Sequence, residues 1–479
     1  MARLAPHPLV TYNAQQYRTQ GRSMISWTPK LGQSGKPRYL EIAEAIGTAI
    51  RTGELSPGDR LPPQRKLAER LGIDFTTVSR GYAEAQSRGF IDSHVGRGTF
   101  VLPQDSPSEA PDPRRAREED LSMNMPPEPD DPDLLERMRA GLNAVSANLT
   151  ALLRYQSATG GEQDKAAAGS WLSMRGMVPR QDRVLITPGA HATMIAIFSI
   201  IAERGDVILC ESVTYAGLRA IAGRLGLRLI GLASDAAGIL PDALVTAIKA
   251  HKPRALYLNP TLHNPTTLTI PQARRMEIAE VLIRHRLPLI EDDAYGFIPA
   301  QAPAPFATLA PDLTWHIGGL AKCIGAGLRL AYTVAPDARS ALELAQAQRA
   351  ISVMPSPLSM ALATRWIEDG TADSIRRFVR AETQARQEIA ADVLAGLDFQ
   401  TSPHAFNIWL RLPIGAGRAE VMGRMAGRRI GLMPSDAFTV EGRPDEHMRV
   451  SLGGAISRDE LRTGLLHLAS MLSINSWMG

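Results

Sequence analysis

Residues 31–103 carry short helical patterns of apolar residues, separated by turn residues. The first pattern, over residues 38–51, predicts one apolar stripe, formed by Leu40, Ile42, Ile46 and Ile50. Similar patterns predict a second helix over residues 63–71 and a third over residues 75–88. Residues 90–101 alternate around a glycine-containing turn and predict a two-stranded hairpin. This order of elements predicts a winged helix-turn-helix fold.

Single residues mark the ends of these helices. Pro63 stands at the expected start of the second helix, where its missing N–H leaves no hydrogen bond unmade. Gly72 follows that helix and Gly89 follows the third, as expected of helix C-termini. Asp74 directly precedes the third helix, so we predict that its side chain caps the free amides there.

From about residue 134, short β-rich runs mostly alternate with helical patterns. The runs cover residues 184–187, 207–210, 228–232, 255–258, 287–290 and 315–317. Strands that alternate with helices are typical of βαβ units, so we expect an α/β fold with a mostly parallel, doubly wound sheet. Beyond about residue 336, long helices and then strands around residues 406–412 and 447–451 predict a smaller α+β lobe.

Between these zones, residues 104–133 hold seven prolines and charges of both signs. Such a composition cannot build a core, and proline-rich chain favours extended conformations, so we interpret this stretch as a linker. The predicted organisation is an N-terminal arm over residues 1–30, a helical module over 31–103, the linker, and a large domain over 134–479.

Composition narrows the functional classes. Apolar residues make up 44% of the chain and charged residues 21%, which excludes a collagen-like or wholly disordered protein. The two cysteines, Cys210 and Cys323, allow no disulfide framework and indicate the reducing cytoplasm. The sequence indicates no metal site. It also lacks a signal peptide's apolar region and an apolar run of about 18 residues, so we expect neither secretion nor a membrane span.

The charge is unevenly distributed along the chain. Residues 1–30 contain four Lys or Arg and no acid, and residues 31–103 contain ten basic and eight acidic residues. Because the whole chain carries +4, the remainder carries −2. The basic N-terminal fifth indicates either an anionic polymer as partner or a solvated tail, and charge alone leaves both open.

The third predicted helix carries candidate DNA contacts. A winged helix-turn-helix places the N-terminal residues of this helix in the major groove. The side chains expected there are Thr76, Thr77, Ser79 and Arg80. Arg65, near the start of the second helix, and Arg97, in the hairpin, would contact phosphates. On helix spacing alone, a small helical domain that binds another protein remains the alternative.

The motifs of this module are more specific than its spacing. G-x-L-x-P-G-D-x-L-P-x-x-R, L-A-x-x-L-G, T-V-S-R and G-R-G-T-F-V occur in that order, and the module resembles the GntR-type DNA-binding domain. The resemblance implies a phosphate contact from Arg65 and a wing contact from the Gly96 backbone and the Arg97 side chain. Phe75 and Ser79 stand where some members carry DNA-contacting arginines, so no operator sequence is transferred.

A second group of polar residues follows three predicted strands of the large domain. Its members are Asn264, Asp292, Tyr295, Lys322 and Arg329. Because open α/β sheets bind ligands at the carboxyl ends of their strands, we expect these side chains to face one crevice. A helix predicted to start at Ala190 and His191 offers free amides and a helix dipole to a phosphate.

Pyridoxal 5'-phosphate (PLP) requires this set of groups. A lysine forms the Schiff base, a carboxylate keeps the pyridine nitrogen protonated, and an arginine with helix amides holds the phosphate. Asn and Tyr side chains contact the ring oxygen, and an aromatic residue such as Tyr215 stacks on the ring. Each residue alone is more often a surface charge or a satisfied polar group, but their joint occurrence in this order predicts a PLP site.

About 340 residues of the large domain resemble the fold-type I aminotransferases, which implies the PLP-dependent transferase fold. The resemblance makes Lys322 the catalytic, Schiff-base lysine and Asp292 the partner of the pyridine nitrogen. It assigns Asn264 and Tyr295 to the ring oxygen and Tyr215 to the ring face. The residues assigned to the phosphate are Ala190, His191 and Arg329.

The same resemblance assigns two further residues. Tyr155 would reach the phosphate of a neighbouring subunit, which implies a homodimer, and Arg449 would bind the α-carboxylate of an amino acid. Gly319 and Ala321 occupy positions where Ser or Thr often adds a phosphate hydrogen bond, and Thr267 replaces the glycine of an N-P-T-G turn. These departures loosen the expected phosphate site but remove no essential group.

A GntR-type module, a proline-rich linker and an aminotransferase-like domain together resemble the MocR subfamily of transcriptional regulators. The resemblance implies a cytoplasmic homodimer that binds double-stranded promoter DNA. PLP, alone or as an aldimine with an amino acid or amine effector, would bias the large domain between conformations, and the linker would pass the change to the DNA-binding modules. The alternative is an active aminotransferase with an accessory N-terminal module, because the set of PLP-binding residues is complete.

Overall fold

The computed structural model describes residues 27–29, 31, 37–94, 98–102 and 121–473. Its contacts divide the chain into two units, one ending at Arg117 and one beginning at Glu118. The predicted wing residues Gly96 and Arg97 lie outside the described residues, as does the N-terminal arm apart from residues 27–29.

The N-terminal unit contains the helices and strands that the sequence pattern predicts. They are α1 (Arg38–Arg51), α2 (Gln64–Leu71), α3 (Phe75–Ser87), β1 (Ile91–His94) and β2 (Gly98–Val101). The two strands pair antiparallel, with Ile91 opposite Val101. The predicted cap of α3 is confirmed, because the Asp74 carboxylate accepts a hydrogen bond of 2.7 Å from the backbone N–H of Thr76.

The core of this unit lies where α1 crosses α3. Ile42 and Ile46 of the predicted stripe are fully buried, whereas Leu40 and Ile50 are only partly buried. The crossing is close because Gly81 of α3 has no side chain: a Cβ atom there would lie 2.9 Å from Cβ of Ile42. Only the predicted stripe residues at the contact with α3 are therefore fully buried.

The second unit consists of a large α/β part and a small α+β part. Its helices are α4 (Pro132–Ser146), α5 (Leu149–Leu152), α6 (Glu162–Ser173), α7 (Ala190–Ile201), α8 (Ala216–Leu225), α9 (Pro241–His251), α10 (Gln272–His285), α11 (Phe306–Leu309), α12 (Ala338–Ser352), α13 (Pro357–Glu368), α14 (Thr371–Val393), α15 (Arg418–Arg424) and α16 (Arg458–Leu472). Its strands are β3 (Val184–Thr187), β4 (Val207–Glu211), β5 (Arg228–Leu232), β6 (Ser234–Asp235), β7 (Gly238–Ile239), β8 (Ala255–Leu258), β9 (Leu289–Asp292), β10 (Thr314–Gly319), β11 (Ala331–Val334), β12 (Phe399–Gln400), β13 (Asn407–Arg411), β14 (Gly431–Pro434) and β15 (His447–Ser451).

A seven-stranded sheet in the order β3-β11-β10-β9-β8-β4-β5 forms the centre of the large part. The strands from β10 to β5 in this order are parallel, which confirms the predicted α/β sheet. β11 lies antiparallel between β10 and β3, and the sequence pattern did not predict it. No α-helix separates β10 from β11. Neighbouring parallel strands need a crossover connection, which is usually a helix, so the short connection here makes β11 run antiparallel to β10.

The strand expected over residues 287–290 begins two residues later, at Leu289. Pro288 has no N–H to donate to a neighbouring strand, so the regular ladder starts after it. Its carbonyl accepts a hydrogen bond of 2.9 Å from the backbone N–H of Leu256. The shift makes Asp292 the last residue of β9, at the carboxyl edge of the sheet.

The C-terminal part forms an antiparallel sheet in the order β12-β13-β15-β14. Apolar residues of this sheet share a separate core with residues of α14 and α16. The strands predicted around residues 406–412 and 447–451 correspond to β13 and β15, and the predicted α+β lobe is confirmed.

Residues 121–131, which belong to the predicted linker, pack within the second unit. Asn124 is buried, Pro127 forms a bridge with Gly454, and Asp131 caps α4. Within the part of the chain that the structure describes, no helix is long and apolar enough to cross a membrane. The same residues contain no group of His, Cys, Asp and Glu side chains arranged to hold a metal ion.

Candidate functional site

A cavity of about 380 Å³ lies at the carboxyl ends of the central parallel strands. Asn259 follows β8, Asp292 ends β9 and Gly319 ends β10, and all three line it. The predicted residues that line it are Ala190, His191, Tyr215, Asn264, Asp292, Tyr295, Lys322, Arg329 and Arg449. The structure therefore brings together all the predicted cofactor and substrate residues except Tyr155.

Three acids, Glu291, Asp292 and Asp293, follow one another at the end of β9. Because side chains alternate along a strand, only Asp292 faces the cavity. Glu291 points the other way, with its carboxylate 3.0 Å from Nδ1 of the buried His316. Asp293 accepts a hydrogen bond of 3.1 Å from Nε of Arg175. Burial raises the pKa of Asp292 to about 6, and its Oδ1 accepts no hydrogen bond from any described residue. One acid, with one unbonded oxygen, is thus left at the cavity.

Two residues of the neighbouring strand hold Asp292, and sequence reasoning missed both. The Tyr257 hydroxyl donates a hydrogen bond of 2.8 Å to Oδ2 of Asp292. The Asn259 side-chain amide donates one of 2.6 Å to the Asp292 backbone carbonyl, and its Oδ1 accepts one of 2.8 Å from the N–H of Asn264. The only signal available was the expected pairing of two parallel strands, which places Tyr257 beside Ile290.

Lys322 lies just beyond β10 and lines the cavity. Burial and the nearby positive charge of Arg449 lower the pKa of its amine to about 8. A lowered pKa increases the unprotonated fraction near neutral pH, and the unprotonated amine is the form that attacks carbonyl carbons. The amine Nζ donates a hydrogen bond of 2.5 Å to the backbone carbonyl of Asn124.

One end of the cavity is formed by the start of α7 and the side chain of Arg329. Gly189 precedes the helix with a φ of 88°, and the first N–H groups of a helix, here from Ala190 and His191, have no intrahelical acceptor. A Cβ atom on Gly189 would lie 3.4 Å from Nη2 of Arg329, so the guanidinium is beside these amides. Burial and the Arg329 charge lower the pKa of His191. Helix amides and a guanidinium together suit a phosphate.

Tyr215 stands immediately before α8, and its ring lies across Gly217. A Cβ atom on Gly217 would lie 2.3 Å from Cε1 of Tyr215, so a side chain at this position would push the ring away. The ring is half-buried at the cavity wall. An aromatic ring in the wall of a cavity can stack on a flat ligand.

Arg449 projects from β15 and is only 3% exposed. Its Nη1 donates a hydrogen bond of 2.9 Å to Oδ1 of Asn264, and its Nη2 donates to the backbone carbonyl of Ser122. The guanidinium carbon lies 5.3 Å from the centre of the Phe438 ring. These contacts fix the orientation of the Arg449 guanidinium in the cavity wall.

Asn124 is a further cavity residue that sequence reasoning assigned to the linker. Its side-chain amide donates hydrogen bonds of 3.0 Å to the Tyr295 hydroxyl and 3.1 Å to Oδ1 of Asn407. Tyr295, in turn, packs edge-on against Phe406, with ring centres 5.8 Å apart. The proline-rich surroundings of Asn124 carry no periodic pattern, so no local signal indicated its burial.

Tyr155 is the predicted residue that the structure does not bring to the cavity. It follows α5 and is 85% exposed. The adjacent Gln156 donates a backbone hydrogen bond to Sδ of Met354, which joins this segment to the end of α12, where Val353 is also exposed. Tyr155 therefore belongs to a surface that carries exposed apolar side chains.

The predicted DNA contacts of the N-terminal unit lie on α2 and α3. Arg65, Thr76 and Arg80 are exposed, and Thr77 and Ser79 are half-buried. The guanidinium of Arg65 lies 5.8 Å from the centre of the Phe75 ring, so the starts of α2 and α3 meet. The guanidinium of Arg80 lies 4.3 Å from the ring of Tyr39 and so rests on α1. The wing residues Gly96 and Arg97 are outside the described residues.

The fold and the cavity define a two-part protein, in which a winged helix-turn-helix precedes an aminotransferase-like domain. The chain belongs to the aminotransferase class I and II family, whose model matches residues 120–468. The model of the gntR family of bacterial regulatory proteins matches residues 38–101. The two matches show the domain pair that the sequence motifs predicted.

Two relatives match this chain over most of their own length. The chain is 27% identical over 453 residues to the uncharacterized HTH-type transcriptional regulator YdeF of Bacillus subtilis, covering 94% of this chain and 97% of that protein. It is 24% identical over 440 residues to the HTH-type transcriptional regulator TauR of Rhodobacter capsulatus, covering 83% of this chain and 88% of that protein.

A solved structure shares the fold of most of this chain. It is LysN, the α-aminoadipate aminotransferase of Thermus thermophilus, complexed with N-(5'-phosphopyridoxyl)-L-leucine. The TM-score is 0.66 at 22% sequence identity, covering 74% of this chain and 91% of LysN. This likeness confirms the predicted fold class and shows the fold alone.

Proposed function

We propose that the chain is a cytoplasmic, DNA-binding transcriptional regulator that uses PLP, alone or combined with an amino acid or amine, to sense an effector. The observation that carries the proposal is the pairing, in one chain, of a gntR-family module with a cavity that contains the groups PLP requires. The regulators YdeF and TauR match this chain over most of their length, which supports the same organisation.

The cavity fits PLP on its own geometry. The unbonded Oδ1 of the buried Asp292 is a partner for a protonated pyridine nitrogen. The amides of Ala190 and His191, with the Arg329 guanidinium, suit the phosphate. When bound, PLP supplies an aldehyde that reacts with amines and a ring that takes up electron density.

In this proposal Lys322 provides the amine that reacts with the aldehyde carbon, and its lowered pKa favours the reactive form. Asp292 holds a proton at the pyridine nitrogen, while Tyr257 and Asn259 keep its carboxylate in place through the hydrogen bonds described above. Tyr257 acts through Asp292, whereas Asn259 also holds the backbone of Asn264.

The remaining side chains orient the ligand. Tyr295 and Asn264 would hold the ring oxygen and Tyr215 would cover the ring face, since all three side chains line the cavity. Arg449 binds the carboxylate of an amino acid, since a bidentate arginine–carboxylate pair is strong and directional. The effector class is therefore amino acids, with amines that lack a carboxylate as weaker ligands.

The exposed Tyr155 supports a homodimer. We assign it to the phosphate site of a neighbouring subunit, because in its own subunit it lies on the surface, near other exposed apolar side chains. Exposed apolar patches mark interaction surfaces, and most oligomers of identical chains are two-fold dimers.

For DNA, we propose that the first turn of α3 enters the major groove. Thr76, Thr77 and Ser79 then face base edges, and Arg65 and Arg80 contact phosphates. The Gly96 backbone and Arg97 add the wing contact. Two DNA-binding modules in one dimer favour a repeated or inverted operator.

The test is binding of the full-length, PLP-loaded protein to labelled DNA from upstream of its own gene, followed by fluorescence anisotropy over a range of salt. Arg65→Ala and Arg80→Ala are each expected to weaken binding and to reduce the salt slope by about one. Arg88→Ala is the matched control, because Arg88 lies at the far end of α3 and pairs with Glu84. Equal losses in all three variants, or none in the first two, contradict the DNA contacts.

The cofactor is tested in the same protein. Lys322→Ala is expected to lose the visible absorbance of a lysine-bound pyridoxal group and the response of DNA binding to PLP. An unchanged visible spectrum in this variant contradicts the role of Lys322. Unchanged DNA binding with and without PLP in the wild-type protein contradicts the sensing role.

An active aminotransferase is the second candidate. The observation in its favour is that Lys322, Asp292 and Arg449 all line one cavity. The assay incubates the purified protein with single amino acids and 2-oxoglutarate and measures glutamate. An enzyme rather than a regulator is indicated if turnover reaches about 1 per second or faster, an ordinary enzyme rate, and the protein does not bind its upstream DNA.

A further inference from the structure

Residues 121–125, here called the strap, run through the cavity of the second unit. Ser122, Met123, Asn124 and Met125 all line it. Beyond the strap the chain is anchored to the small lobe, where Pro127 forms a bridge with Gly454 and the Gly454 N–H donates to the Pro126 carbonyl at 3.1 Å. The strap is itself part of the predicted linker, and residues 104–120 are the part of that linker that precedes it.

Two glycines of the small lobe allow the strap to approach the backbone. A Cβ atom on Gly431 would lie 1.7 Å from the Leu121 carbonyl oxygen, and one on Gly453 would lie 1.7 Å from the Met125 carbonyl oxygen. Real Cβ atoms do not come so close to backbone atoms, so any side chain at either position must displace the strap. Neither glycine lines the cavity, so they offer a way to move the strap without altering a ligand-binding group.

The strap supplies hydrogen-bond acceptors to the guanidinium and the amine that the proposed ligands need. The Ser122 carbonyl accepts from Nη2 of Arg449, and the Asn124 carbonyl accepts from Nζ of Lys322 at 2.5 Å. The Asn124 side chain holds this arrangement through Tyr295 and Asn407. The strap thus contacts the groups assigned to the carboxylate, the aldehyde and the ring oxygen.

We propose that the strap competes with the ligand carboxylate for Arg449, and that its displacement reports occupancy of the cavity to the linker. The inference rests on the proposed function, since it assumes that Arg449 binds a carboxylate. A carboxylate can pair with the guanidinium through two charge-assisted hydrogen bonds, whereas the Ser122 carbonyl is a neutral acceptor. The ligand therefore favours the state in which the Ser122 carbonyl has left Arg449.

This mechanism gives the effector a differential affinity for two states, as ligand-linked regulation requires. With the strap bound, the linker starts at a fixed point inside the second unit. With the strap released, the nearest anchor described above is at Pro126 and Pro127, so the linker gains about five residues of free chain. It also makes the carboxylate, rather than the amine, the part of the effector that is sensed.

The test uses two small probes on the PLP-loaded, full-length protein. Aminooxyacetate and methoxyamine both carry the aminooxy group that replaces lysine on a pyridoxal aldehyde, but only aminooxyacetate has a carboxylate. Amide hydrogen exchange of residues 121–125 is followed by mass spectrometry. Aminooxyacetate is expected to accelerate exchange by about tenfold, and methoxyamine by less than about twofold.

Glycine variants provide a matched pair. Gly453→Ala is expected to give fast exchange of the strap before any probe is added, and aminooxyacetate should then add little. Gly423→Ala, on α15, should behave like the wild type, because no atom lies within 4 Å of the added Cβ. If the far-UV spectrum shows that Gly453→Ala does not fold, Asn124→Ala replaces it, since it loses the hydrogen bonds to Tyr295 and Asn407.

The outcomes separate this inference from the proposed function. Equal exchange with both probes, when the visible spectrum shows that both have reacted, overturns the strap mechanism alone. Wild-type exchange in the folded Gly453→Ala or Asn124→Ala variant overturns it as well. A spectrum that neither PLP nor the probes change means that no reactive pyridoxal group is bound, and this overturns the proposed function.

Discussion

The Tyr257 hydroxyl donates a hydrogen bond of 2.8 Å to Oδ2 of Asp292, and both side chains are buried. This bond favours the ionised carboxylate and opposes the effect of burial, which raises the pKa of Asp292 to about 6. The neighbouring strand thus tunes the group that is assigned to the pyridine nitrogen. The relationship arises from the parallel pairing of β8 with β9.

Tyr257→Phe is expected to raise the pKa of Asp292 further, because the ionised carboxylate loses a donor. In the wild type, PLP affinity should fall as the pH drops through about 6, where Asp292 takes up a proton. In the variant this midpoint should move up by roughly one unit. Absorbance titrations with PLP between about pH 5 and 8 measure it. Tyr332→Phe, on β11, is the control, and an equal shift there contradicts the assignment.

Glu211 predicts a pH dependence of stability in the cofactor-free protein. Burial raises its pKa to about 7, and it accepts hydrogen bonds of 3.0 Å from the Asn259 N–H and from the Thr214 hydroxyl. Between about pH 4.5 and 7 the folded state holds this proton while the unfolded state has lost it, so stability falls as the pH rises. The expected loss is about 3 kcal/mol, at about 1.4 kcal/mol for each pH unit.

Chemical denaturation at several pH values measures this loss. Glu211→Gln should flatten the curve between about pH 5 and 7, because the amide does not titrate. Asp292→Asn is a useful comparison, since it removes a carboxyl group whose own pKa burial raises to about 6, together with a charge that helps to raise the pKa of Glu211. A Glu211→Gln curve as steep as that of the wild type contradicts this prediction.

Gly217→Ala should weaken PLP binding, because its Cβ would meet the Tyr215 ring at 2.3 Å and push it from the cavity wall. Loss of one stacking contact corresponds to about a tenfold weaker affinity. Gly223→Ala is the matched control on the same helix, since no atom lies within 4 Å of its Cβ. Equal PLP affinity in the two variants would contradict the assignment of Tyr215 to the PLP site.

Gly319→Ser should strengthen PLP binding. A Cβ atom at this position has room, with Cβ of Ala190 3.8 Å away, and a serine hydroxyl beside the start of α7 adds a donor for the phosphate. The gain is expected to be about fivefold in affinity. Pyridoxal, which lacks the phosphate, is the matched ligand, and its affinity should not change. A gain of the same size with pyridoxal argues against a phosphate contact.

Asp74→Ala should weaken DNA binding severalfold without removing a direct DNA contact. The Asp74 carboxylate accepts hydrogen bonds from both the backbone N–H and the hydroxyl of Thr76, and so orders the first turn of α3. Ser87→Ala, at the other end of the helix, is the control. Anisotropy titrations compare the two variants. Wild-type affinity in Asp74→Ala would show that DNA binding does not require the cap on this turn.

Local patterns were sufficient for much of the fold. Asp74, Pro63 and the glycines after α2 and α3 act on neighbouring backbone groups, so the helix boundaries of the N-terminal unit were predictable within one residue. The alternation of strands and helices predicted the parallel sheet for the same reason. β11 escaped prediction because its antiparallel position depends on two distant strands and not on its own four residues.

The sequence alone determined which chemical groups are available: the amine of Lys322, the carboxylate of Asp292 and the guanidinium of Arg449 each stand in a recognisable local motif. Only the tertiary structure decided which residues contact these three groups. Tyr257 reaches Asp292 through strand pairing, and Asn124 reaches Lys322 across 198 residues of sequence. The physical reason is that periodicity and capping act over a few residues, whereas hydrogen bonds in a buried site join groups that only the packed fold brings together.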